Sequence, residues 1–362
     1  MIQTHAALVP VLDAIGGARR VAVDTEFHSE RHYYPRLMLV QIRADDGPPW
    51  LIDPLSGLDL RPLGAALSEA PLLLFHGGSM DLQILHRDAG LVPRAVFDTQ
   101  IAAGFAGGGY PVRLQELVRR YLAEHLPKTE TLSDWSVRPL SLDQLRYAAD
   151  DVLLLGRLAD AIAAELDRRG HASFAAACTV EHVARALGAD DPWELWRQVP
   201  GVHVLDPQER AILRELAAWR ERAARERDTT RSSVLSDAML LDLSRRSPLT
   251  PDALRANRRM PSQVWKRDGA AVLACVQRGL SAPPIPGRTE ADKLWLEVAL
   301  AAGRVAEHGS GIARDLLLTD GTLVRLAAGE PIEAWRTSAL GSEFRAFLCG
   351  QKGIGLPGVW RA

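Results

Sequence analysis

Cysteine is scarce in this 362-residue chain: Cys178, Cys275 and Cys349 are scattered, with no C-x-x-C pair. That excludes a disulfide scaffold and a cysteine-based zinc module, and it suits a reducing cytoplasm. Long apolar runs are missing too, and nothing approaches the roughly 18 residues of a membrane span. The first dozen residues lack a basic stretch followed by an apolar one, so neither a secretory signal nor a membrane partner is expected. Lysine is rare. Lys128, Lys266, Lys293 and Lys352 are the only four among 43 basic residues. The positive charge is therefore nearly all guanidinium, the group best suited to phosphate, although genome base composition also favours an Ala- and Arg-rich chain.

What is present is an ordinary globular composition, 47% hydrophobic and 24% charged, which excludes disorder over most of the chain. The length implies two or three domains. The net charge of −2 conceals a division: residues 1–170 carry 17 basic against 22 acidic groups, and residues 201–280 carry 15 against 10. An acidic first segment could concentrate carboxylates, and a basic middle segment could meet a polyanion or simply be a solvated face.

Residues 21–27, 37–42 and 50–52 are apolar, β-branched runs separated by short loops, the pattern of an antiparallel meander. Residues 60–68 then read as helix, 71–75 as strand, 79–87 as helix and 95–97 as strand, with another helix from Thr99. That βαβα order predicts parallel strands with crossover helices. Meander plus βαβα makes a mixed α/β sheet. Beyond Leu114 the chain reads as helix. Ser141 with Gln144 forms a capping box that opens a long helix running to Arg169, where Gly170 stops it. Asp206-Pro207-Gln208-Glu209 starts a second helical unit the same way, and Thr250-Pro251 opens a later helix. Residues 282–288 form a Pro-rich linker to a third, helical unit. The expected domains are 1–187, a linker 188–205, 206–281, the linker 282–288, and 289–362.

The chemistry lies in the first domain. Asp24 and Glu26 are two apart on a strand, so both face one side, about 7 Å apart. On an edge strand such a pair is usually a solvated face, but here it ends an apolar run that reads as a central strand. Two like charges held there favour a bound cation or a proton. Asp81 follows the Gly77-Gly78-Ser79-Met80 turn into a helix. Asp98 reads mainly as a helix N-cap. Tyr147 and Asp151 share a helix face one turn apart, with small alanines between them that allow close approach to a sheet. Asp150 points away, and His76 reads as structural. Carboxylates without His or Cys partners suit Mg²⁺ or Mn²⁺, and several of them suit two-metal phosphoryl transfer.

These residues resemble a known family. Asp24-Thr25-Glu26-Phe27, the 75–82 stretch containing Asp81, Phe97-Asp98-Thr99-Gln100, and Tyr147 with Asp151 look like the three exonuclease motifs of the DEDD family, tyrosine subclass. Residues 31–35, 128–130 and 134–140 narrow the likeness to ribonuclease D, and residues 205–280 are similar to its HRDC domain. Gly77-Gly78 and Met80 depart from the pattern without removing a ligand. The resemblance implies a ribonuclease H-like nuclease fold followed by two all-α HRDC-like domains, the second a weaker match. It implies a 3′-5′ exoribonuclease that uses two divalent cations, Mg²⁺ or Mn²⁺, to release 5′-mononucleotides from RNA with a free 3′-OH, such as tRNA precursors. Asp24, Glu26 and Asp151 should hold the first metal, with Asp24 shared by the second and Asp81 supporting that one through water. Tyr147, with an ordinary phenol pKa of about 10, should orient the attacking water.

The alternatives are a 3′-5′ DNA exonuclease, a catalytically weak RNA-binding protein, and HRDC-like units that bind protein. The intact set of four carboxylates speaks against a dead nuclease. The oligomeric state is open, with a monomer favoured. On one helix of the basic unit, Arg220 and Arg227 share a face and Arg222 and Arg225 flank the opposite one, so at most two or three could touch one RNA while the rest pair with Glu221 or Glu226 or stay solvated. Truncation after about Leu187 is then expected to spare cleavage of short single strands.

Overall fold

The computed structural model describes residues 1–126, 133–257, 260, 262–287, 289–327 and 330–348. The Lys128-Thr129-Glu130 stretch and Cys349 lie outside the described residues. The chain forms two compact units. Of the described residues, those within 1–27, 37–188 and 292–348 make the first, and those within 28–36 and 189–291 the second.

The first unit is built on a five-stranded mixed sheet. Its strands are β1 (Val21–His28), β2 (Arg36–Ala44), β3 (Trp50–Ile52), β4 (Leu73–Phe75) and β5 (Val96–Asp98), in the order β3-β2-β1-β4-β5. β3 runs antiparallel to β2, pairing Leu51 with Gln41. β4 runs parallel to β1, pairing Leu73 with Val21, and β5 parallel to β4. The expected mixed sheet is present, and β1 is its central strand, as its apolar first half requires.

Helices α1 (His5–Gly17), α2 (Arg61–Glu69) and α3 (Ser79–Ala89) cover one face, packing Leu8, Val11, Ile15, Leu63, Leu67 and Leu85 against β1, β2 and β4. Thr4 caps α1, accepting from the Ala7 amide at 3.2 Å. On the other face lie α4 (Thr99–Phe105), α5 (Leu114–Leu122), α6 (Leu142–Leu153) and α7 (Leu155–Arg169), while α8 (Ala172–Leu187) runs beside edge strand β5, with Ala175 and Cys178 in the core of this face and Ala186 in that of the first. The single long helix expected over 142–169 is two helices, broken at Leu154. The Arg43 guanidinium, from β2, donates to the Leu153 carbonyl at 2.6 Å, so that carbonyl does not need the next turn of helix. Gly170 ends α7 in a left-handed conformation, as expected.

The second unit contains α9 (Pro207–Glu226), α10 (Arg231–Val234), α11 (Asp237–Arg246), α12 (Pro251–Arg255) and α13 (Ser262–Ser281). Asp206 and Glu209 form the expected capping box. Leu213, Leu216, Val234, Leu240, Val272 and Val276 fill its core. Gly279 lets α13 close on α9, since a Cβ there would lie 2.4 Å from the Ile212 Cα. Part of the expected linker belongs to this unit, because the Ile285 amide donates to the Pro207 carbonyl at 2.8 Å.

The remaining helices are α14 (Glu290–Ser310), α15 (Arg314–Leu317), α16 (Asp320–Ala327) and α17 (Ala334–Leu348). The sequence sets them apart as a third unit, yet they share a core with the nuclease helices. Ala299, Ile312, Leu316 and Phe344 pack in one cluster with Phe105, Leu117 and Ile162. The Ala313 amide donates to the Gly104 carbonyl at 2.8 Å. Arg336, 2% exposed, reaches Glu181 of α8 at 2.6 Å and Glu333 at 2.8 Å. Truncation after Leu187 would strip part of this core, so the expectation that such a fragment keeps its activity does not stand.

The arginines of α9 are also committed elsewhere. Arg220 is buried and bonds Asp237 at 2.7 Å and the Leu235 carbonyl at 3.0 Å. Arg227 pairs with Asp268 at 2.6 Å, and Arg225 pairs with Glu221 at 2.8 Å. Only Arg222 of the four is exposed, lying over the Trp193 ring at 5.4 Å. This corrects the expectation that two or three of them meet RNA, although the pairing expected with Glu221 is present: Arg225 and Arg227 offset the buried carboxylates of Glu221 and Asp268, and Arg220 is itself buried.

Candidate active site

Strand alternation turns Asp24 and Glu26 to the face of the sheet that α6 covers. Ala148, fully buried against Met38, Leu39, Trp135 and Leu140, brings α6 close. Tyr147 and Asp151 then project beside β1. Carboxylate oxygens of Asp24, Glu26 and Asp151 lie within 4.8 Å of one another, and the Tyr147 hydroxyl donates to Asp151.

Asp81 enters from α3, on its first turn. Its carboxylate accepts from the Thr25 hydroxyl at 2.5 Å, so the residue between Asp24 and Glu26 fixes the fourth carboxylate. The turn before it is set by Asp98, which does more than cap α4. Asp98 accepts from Gln100 at 2.9 Å and Ile101 at 3.3 Å, and equally from the Gly77 and Gly78 amides, each at 2.9 Å. Gly77 has φ +67°, and a Cβ on Gly78 would sit 2.5 Å from Phe75. The two glycines that depart from the family pattern are thus the residues this turn accepts. Asp98 faces four backbone amides and is not part of the three-carboxylate cluster. His76 bonds the Thr99 hydroxyl at 2.9 Å, in keeping with its structural reading.

The Tyr147 ring is buttressed by Trp135, 6.1 Å between centroids. The segment carrying Trp135 is held by Arg138, which bonds Asp53 at 2.8 Å and the Met38 carbonyl at 2.7 Å. These supports were missed in the sequence, although the Asp134–Leu140 stretch had marked the place.

Crowding shows in the acid strengths. Burial, then the charges of Asp81, Asp151 and Glu26, pushes Asp24 well above the usual carboxylate range. Burial, with Asp151 and Asp81, raises Glu26 to about 8. Burial and Asp150 raise Asp151 to about 7, against the Tyr147 hydrogen bond, and burial raises Asp81 to about 6 against the Thr25 bond. Each group favours its proton in the folded protein. The stabilisation this gives is complete below the unfolded value of about 4 and is lost as pH rises through about 6 to 8. Metal-free protein should therefore melt at progressively lower temperature between about pH 5 and pH 8. Mn²⁺ should raise the melting temperature more at the upper end. A flat profile, or equal metal-induced shifts, would contradict this electrostatic picture.

An all-oxygen set of mutually repelling carboxylates fits a hard divalent cation, because a cation replaces the protons that otherwise relieve the repulsion.

A family model described as a 3′-5′ exonuclease matches residues 1–167, and one described as the HRDC domain matches residues 209–276. The chain is 32% identical to the ribonuclease D of Nitrobacter hamburgensis, over 98% of this chain and 97% of that one. It is 34% identical to that of Pseudomonas paraeruginosa, over 89% and 90%. The crystal structure of Escherichia coli RNase D, described as an exoribonuclease involved in structured RNA processing, superposes with a TM-score of 0.84 at 26% identity, over 97% of this chain and 98% of that one. Among the described residues no helix is long and apolar enough to cross a membrane. Sheet, acidic cluster and full-length similarity agree, and the chain belongs to the ribonuclease D family of metal-dependent 3′-5′ exoribonucleases.

Proposed function

We propose that Asp24, Glu26 and Asp151 would hold a divalent cation, Mg²⁺ or Mn²⁺, and that Asp24 and Asp81 would serve a second. The observation carrying this reading is the approach of three carboxylates to within 4.8 Å, with Asp81, outside that group, bonded to the Thr25 hydroxyl. When bound, such ions lower the pKa of water and stabilise charge on the phosphoryl oxygens. Tyr147 donates to Asp151, which leaves lone pairs on its phenolic oxygen. A water accepted there as a hydrogen-bond donor would be held beside the carboxylates and turned toward phosphorus. The oxygen of that water would bond to phosphorus as the bond from phosphorus to the 3′ oxygen breaks; the water's proton would pass to solvent and the leaving 3′ oxygen would take one from solvent, giving a 5′-mononucleotide and a new 3′-OH.

The substrate in this reading is RNA with a free 3′-OH, in particular the 3′ ends of structured RNA such as tRNA precursors, handled in the cytoplasm. The similarity to an exoribonuclease that processes structured RNA supports it, and the buried free thiols of Cys178 and Cys275 suit a reducing compartment. Matched RNA and DNA oligonucleotides, alone and as 3′ tails on a hairpin, test it. Faster shortening of RNA is expected, because only contacts to the 2′-OH separate the sugars. Equal or faster shortening of DNA would favour the DNA exonuclease.

A further inference from the structure

Strand β1 ends at His28, two residues beyond Glu26, and β2 resumes at Arg36. The residues between do not stay with the nuclease unit; they pack as part of the helical one. Tyr33 is half-buried and packs against the core of the helical unit. Its hydroxyl donates to Glu221 and accepts from the Arg225 Nε at 2.9 Å. The guanidiniums of Arg225 and Arg231 lie 5.7 and 5.9 Å from its ring centre. Glu221 is 1% exposed and also accepts from Arg225 at 2.8 Å and from Arg231. On either side of Tyr33, His32 lies 3.0 Å from one oxygen of Asp228, and the Tyr34 amide donates to the other at 3.0 Å.

The buried Glu221 carboxylate is shared by two guanidiniums, and Tyr33 adds a third hydrogen bond to it while its ring lies against both cations. Here one of the partners comes from 188 residues away in sequence. We infer that Tyr33 is a positioning residue: the helical unit grips the 28–36 excursion and thereby fixes the outgoing end of the strand that carries Asp24 and Glu26. This rests on the reading of those two residues as metal ligands. Ligand carboxylates need placement within about 0.5 Å, and a free excursion over residues 28–36 would let the strand end open locally. On this account the helical unit serves catalysis even on substrates too short to touch it.

The test uses the full chain, a short unstructured oligoribonucleotide, and amide hydrogen exchange. Tyr33→Ala should lower kcat about tenfold with KM within about twofold, the signature of a displaced catalytic group, and should speed exchange at residues 23–28. Tyr33→Phe keeps the ring and its cations and should retain most of the turnover. Asp228→Gly offers a milder route. Asp228 has φ +45°, which glycine accepts, so the variant should fold while releasing His32 and Tyr34, with an intermediate loss. Wild-type kcat and unchanged β1 exchange in both Tyr33→Ala and Asp228→Gly would overturn the inference. So would faster exchange confined to the helical unit. If Tyr33→Ala does not fold, Asp228→Gly decides alone. The two readings separate cleanly: an active Asp24→Ala protein removes the metal-site reading, whereas an inactive one beside a fully active Tyr33→Ala protein removes only the grip.

Discussion

Replacing Asp24 by alanine is expected to lower exonuclease turnover about 10³-fold while leaving the metal-free protein folded and at least as heat-stable. The activity loss follows from position. Asp24 is on the central strand, within the 4.8 Å cluster, and it is the carboxylate proposed to be shared by both cations. The stability follows from charge. Asp24 is raised by burial and by three neighbouring carboxylates, so its removal relieves repulsion and breaks no ion pair among the described residues. Activity assays with Mn²⁺, together with thermal melts in chelator, check both halves. Retention of a few per cent of activity would remove the assignment, and a large drop in melting temperature would show that Asp24 is a structural residue.

Changing Tyr147 to phenylalanine should lower kcat about 10²-fold or more with metal affinity and RNA binding nearly unchanged. The ring stays seated against Trp135 and Ala148; only the hydroxyl that bonds Asp151 is lost. An interaction that matters most in the transition state is read in kcat and not in binding. Single-turnover rates set against calorimetric Mn²⁺ titration separate the two. A loss appearing wholly in metal affinity would mean that the hydroxyl orients Asp151 rather than water.

The chemistry was legible in the sequence because it is encoded at short range. Asp24 and Glu26 share a face through the two-residue period of a strand, and Tyr147 and Asp151 through the four-residue step of a helix. The caps at Ser141 and Asp206 and the stop at Gly170 are equally local, and all three are found in place. What escaped is long-range. The break at Leu154 reflects an arginine 110 residues earlier. The double duty of Asp98 depends on two amides some twenty residues upstream. The Pro-rich segment before α14 suggested separation, yet the helices beyond it bury their apolar faces in the nuclease core. Charge misled most directly. The four arginines of α9 offered two or three phosphate contacts, but Asp237, Glu221 and Asp268 engage Arg220, Arg225 and Arg227. Net charge counts groups without saying which are already paired.

The most direct test of the whole account is product analysis. Purified protein is incubated with a 5′-labelled RNA bearing a 3′-OH, with Mn²⁺ or with chelator. With metal, the account predicts a ladder shortening one nucleotide at a time from the 3′ end and release of 5′-mononucleotides; with chelator, it predicts intact RNA. Internal cuts, nucleoside 3′-phosphates, or undiminished activity in chelator would contradict it.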